Sequence, residues 1–88
     1  MANFDKSAEM ASQLIRSFLK ERMEEKKITQ EELSNLTGVS VRTLQRNLSG
    51  ETEMAFSSFL KICGALEIRP YLVPAEVDGE MPNRIFFN

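Results

Sequence analysis

The feature that most constrains this chain is the spacing of helix starts and stops between Thr29 and Gly50. Thr29-Gln30-Glu31-Glu32 has the pattern of a capping box, in which the Thr29 hydroxyl accepts from the Glu32 backbone N–H and the Glu32 carboxylate accepts from that of Thr29. Gly38 ends the helix that starts there, supplying the left-handed residue a sharp turn needs. Ser40 can cap a further helix running to about Leu48, and Ser49-Gly50 stops it. Helices this short are marginal in isolation. They must therefore be held by packing against longer elements.

The flanking sequence supplies those elements. From about Ser7 to Lys27, the residues Met10, Leu14, Phe18 and Met23, with Ile15 and Leu19 beside them, recur at helical spacing. Ser7 or Asp5 is placed to cap this helix, and Lys26 and Lys27 suit the negative end of its dipole. From about Ala55 to Leu66, the residues Phe56, Phe59, Leu60, Ile62, Cys63 and Leu66 form a broad apolar stripe, expected to be the main core helix. Leu33 with Leu36, and Leu44 with Leu48, are the expected inward faces of the two short helices. Val41, Arg42, Thr43, Gln45, Arg46 and Asn47 are expected to point outward.

After Glu67 the pattern changes. Ile68 to Pro74 alternates and contains two prolines, as an edge strand would. Asp78-Gly79 is a turn signal and Arg84 to Phe87 a second strand-like run, so a loose hairpin is expected. The expected fold is mainly α, a single domain of four to five helices with a short C-terminal β-strand or hairpin. Residues 1–68 form its helical part and 69–88 its extended segment.

Composition narrows the chemistry. The 88 residues contain no histidine and one cysteine, Cys63, so the usual nucleophilic triads, a disulfide and a cysteine zinc site are all excluded. No phosphate loop is present, and the paired glutamates lack an apolar pocket to raise a pKa. We expect no enzyme and no cofactor. No apolar run is long enough for a membrane span and no signal-peptide core leads the chain, so a cytoplasmic protein is expected. The formal charge is −2, unlike the basic balance common in nucleic-acid binders. However, no acid occurs between Glu32 and Glu51, while the C-terminal part carries most of the excess carboxylate.

The run Ile28 to Ser40, continued by Thr43-Leu44-Gln45-Arg46-Asn47-Leu48-Ser49-Gly50 and by Phe59-Leu60-Lys61-Ile62 through Ala65-Leu66, resembles the phage-repressor and Cro-like helix-turn-helix family over about residues 8–68. Ala55 departs from the family pattern, standing where a capping residue is frequent, and so does Asn47, standing where the family is often apolar. The resemblance implies a recognition helix at Ser40 to Leu48 lying in the major groove of double-stranded DNA. By position, Val41, Arg42 and Arg46 would read base edges, arginine pairing with guanine and valine touching a thymine methyl. Gln30, Ser40, Thr43 and Asn47 would contact phosphates.

It further implies a transcriptional regulator, expected to be a repressor that binds a palindromic operator as a homodimer. Ile68, Tyr71, Leu72 and Val73, with Ile85, Phe86 and Phe87, would pair across the twofold axis in a small intersubunit sheet. That arrangement looks like antitoxin-type members, which also bind a protein toxin. An antitoxin is therefore one alternative, and a protein-interaction module that kept the scaffold without DNA binding is another.

Overall fold

A computed structural model describes residues 4–74. Four helices follow in order: α1 (Asp5–Lys26), α2 (Gln30–Thr37), α3 (Val41–Ser49) and α4 (Phe56–Ala65). The two short helices form as their caps dictate. Thr29 Oγ1 accepts from the Glu32 N–H at 3.1 Å, and the Thr29 N–H donates to Glu32 Oε1 at 2.8 Å, completing the capping box. Gly38 closes α2 with φ 79° and Gly50 closes α3 with φ 87°, both in the left-handed region that a side chain would strain.

The other two helices end differently. At the C-termini of α1 and α4 the left-handed position is taken by Lys27 (φ 56°) and Glu67 (φ 58°). In each case the next residue donates back five positions, Ile28 to the Met23 carbonyl at 2.9 Å and Ile68 to the Cys63 carbonyl at 2.8 Å. Both isoleucines then pack against the core. That burial offsets part of the ~1–2 kcal/mol that a non-glycine residue costs in this conformation. The two ends are also joined to each other: Arg22 Nε donates to the Leu66 carbonyl at 2.9 Å, and Lys26 Nζ to Glu67 Oε1 at 2.6 Å.

The core consists of Leu19 and Met23 from α1, Leu33 from α2, Leu44 and Leu48 from α3, Ile62 and Cys63 from α4, and Leu66 just beyond. Every helix thus contributes. Burial pushes the Cys63 thiol above its ordinary pKa, so this side chain behaves as a small hydrophobe.

Several sequence expectations are corrected. The cap of α1 is Phe4, without a side-chain bond, because the helix starts at Asp5 and leaves Ser7 inside it. Leu36 is 63% exposed, and α4 turns Phe56 and Leu60 outward, so α4 shares the core with the other helices instead of dominating it. Met10, Leu14 and Phe18 also lie outside the core, which takes only the Ile15, Leu19 and Met23 side of α1. Within the single chain Ile68 to Val73 has no strand: Ile68 is half-buried against the core, while Tyr71, Leu72 and Val73 are exposed. Ile85, Phe86 and Phe87 lie outside the described residues. Among the described residues, no helix is long and apolar enough to cross a membrane.

Candidate nucleic-acid interface

The surface that bears on function is the outer side of α3. Ser40 begins it: its Oγ accepts from the Thr43 N–H at 3.1 Å and donates to Thr43 Oγ1 at 2.9 Å, so the first turn is closed by side chains. This leaves the remaining N-terminal N–H groups at the positive end of the helix dipole, with no acidic side chain in the first turn to neutralise them.

Leu44 and Leu48 bury one side of α3, and helical periodicity puts Arg42 and Arg46 on the opposite side, one turn apart. Arg42 is exposed and, among the described residues, makes no ion pair. Arg46 is half-buried, with its Nε 3.8 Å from Glu51 Oε2. Gln45 and Ser49 are exposed and flank the two arginines on the helical wheel. Val41 is half-buried at the first helical position, and Thr43 is exposed. Gln30 is the first residue of α2 and half-buried beside the capping box.

Asn47 is a correction. It is only 4% exposed and points into the molecule, its Nδ2 donating to Thr52 Oγ1 at 3.0 Å and to the Glu53 carbonyl at 3.4 Å. Its Oδ1 is buried with no hydrogen-bond partner. A carbonyl accepts only from the amide nitrogen, which sets the orientation of the side chain. Asn47 therefore ties the segment after α3 back onto the helix and is not available to a phosphate. The sequence signal for this was present: Asn47 lies next to Leu48 and one turn after Leu44, on the inward side of the wheel.

The sequence also gave no warning of Glu51. It lies past the stop at Gly50, yet the turn brings its backbone N–H to the Arg46 carbonyl at 3.0 Å and its carboxylate near the Arg46 side chain. A Cβ at Gly50 would come within 2.9 Å of the Arg16 guanidinium, a flexible group that lies against this turn and can shift, so it is φ that requires the glycine. Arg16 thus places a cation at the negative end of α3.

Two short helices joined through Gly38, the first capped by Thr29 and the second presenting arginines away from the core, define a helix-turn-helix protein. The family model for the Cro/C1-type HTH DNA-binding domain matches residues 19–71, more than half of the chain, and the chain belongs to that family. It is a DNA-binding regulator by membership. No curated protein and no solved structure shows significant similarity to it. The family match begins inside α1 and leaves the first part of that helix outside the domain.

Proposed function

We propose that this protein represses transcription by binding a palindromic operator as a homodimer, each copy placing α3 in the major groove. The observation that carries the reading is the pair Arg42 and Arg46, one turn apart on the side of α3 turned away from Leu44 and Leu48, on a helix without an acidic residue. Each guanidinium can pair with the O6 and N7 of a guanine, and Val41 is the residue for a neighbouring thymine methyl. Gln30 and Thr43 hold the helix in register by donating to phosphates, joined by Ser40 when its hydroxyl turns from Thr43 to the DNA. A formal charge of −2 leaves little non-specific attraction to DNA, so affinity rests on these few contacts and on the pairing of two copies.

The test is selection of binding sites from random duplex DNA at fixed salt, with wild type beside Arg42→Ala and Arg46→Ala. The expected result is a palindrome with half-sites about 34 Å apart, or a multiple of that spacing. Each alanine should lose roughly 1–3 kcal/mol and relax preference at its own position. Absence of any enriched sequence with the wild type would remove the proposal.

A further inference from the structure

We propose that the outer ridge of α1, formed by Met10, Leu14 and Phe18, receives a second copy of this chain, the two ridges packing as an antiparallel helix pair with the twofold axis beside Leu14. The inference rests on the dimeric reading above and supplies its interface.

The three side chains are spaced by one turn each and are 53%, 45% and 53% exposed. They face away from Leu19 and Met23, which α1 gives to the core. Along α1 as a whole the apolar residues therefore fall on two sides, and the domain buries only one. Single exposed apolar residues are ordinary, whereas a continuous stripe along a helix is not. The ridge also lies before residue 19, where the match to the family's DNA-binding domain begins.

Charge selects the occupant. By the 100° step of the helix, Lys6 and Glu24 lie on one flank of the ridge at its opposite ends, and Glu21 lies in line with the ridge beyond Phe18. All three are exposed and, among the described residues, make no ion pair. When two ridges meet antiparallel, Leu14 faces Leu14 and Met10 faces Phe18. Lys6 of each copy then falls between Glu21 and Glu24 of the other. A parallel pair would bring no Lys6 level with Glu21 or Glu24, and would align the helix dipoles unfavourably. A self-complementary surface of this kind is what a twofold interface requires.

The full-length chain is tested in three ways. In sedimentation velocity, Leu14→Glu should weaken the dimer by roughly tenfold or more, as truncation or charging of a central contact does, while its circular dichroism stays helical. Lys6→Glu should weaken it as well, and adding Glu21→Lys and Glu24→Lys should restore it, which loss of folding would not allow. Under mild oxidation, Leu14→Cys should form a disulfide dimer, because the axis brings the two positions together, whereas Ser12→Cys on the far side of α1 should not.

A wild-type chain that stays monomeric at tens of micromolar overturns the inference. So does a Leu14→Glu protein that remains dimeric without cross-linking at Leu14→Cys; if site selection still yields a palindrome, the repressor reading stands and only the interface is wrong. Failure of site selection with an intact Leu14-centred dimer would have the opposite meaning.

Discussion

Lys26 and Glu67 join the C-terminal ends of α1 and α4, their Nζ and Oε1 atoms 2.6 Å apart across 41 residues of sequence. The hydrogen bond from Lys26, and then its charge, hold the Glu67 carboxyl below its ordinary pKa. A group lowered in the folded state adds stability above its unfolded pKa and loses it as the pH falls through the folded value. Wild type should therefore be more stable than Glu67→Gln at pH 7, with the difference closing below about pH 4.3. Urea unfolding across this range checks it, and a difference independent of pH would assign the effect to packing.

Lys27 sits in the left-handed region at the end of α1. The backbone hydrogen bonds there are made by its N–H and by Ile28, not by its side chain. Lys27→Gly should keep them and relieve the strain, raising stability by about 0.5–1 kcal/mol after the added flexibility of the unfolded chain is counted. Thermal unfolding reads this directly, and a loss of stability would show that the lysine side chain matters.

Leu33 and Leu36 are one turn segment apart on α2, yet Leu33 is fully buried and Leu36 is 63% exposed. Leu33→Ala should cost about 2–5 kcal/mol, enough to unfold much of a domain this small. Leu36→Ala should change stability by less than about 0.5 kcal/mol. Comparable losses in denaturant titrations would mean that Leu36 is covered in solution.

Glu51 competes with DNA for Arg46 under the repressor reading. Glu51→Gln removes both that competition and a carboxylate near the phosphates. Operator binding should tighten by up to about fivefold, the factor that matches the ~1 kcal/mol upper range of an exposed ion pair. The gain should shrink as salt rises. Unchanged affinity at low salt would show that Arg46 is not engaged at the DNA.

The four helices and the turn at Gly38 were legible because capping residues act locally: Thr29, Glu32, Ser40 and Gly50 set boundaries whatever the rest of the chain does. Which apolar residues become core was less legible. Met10, Leu14 and Phe18 repeat as regularly as Leu19 and Met23, and spacing cannot tell which of two apolar sides meets the other helices. Asn47 was legible from its place one turn after Leu44 on the inward side of α3, but its polar side chain argued for the surface. The approach of Glu51 to Arg46 is made by the chain after Gly50 folding back on α3, a contact no local pattern encodes.

The uninterrupted course of α1 has a mechanical consequence. Its outer ridge and its buried residues Leu19 and Met23 belong to one rigid rod with no glycine or proline between them. One residue inserted between Phe18 and Leu19 would swing the ridge by about 100° relative to the rest of the domain, whereas seven would turn it by only about 20°. The length of this stretch works as a gear tooth, so insertions or deletions near its middle re-aim everything attached to one end, and only whole-heptad changes leave the aim nearly intact.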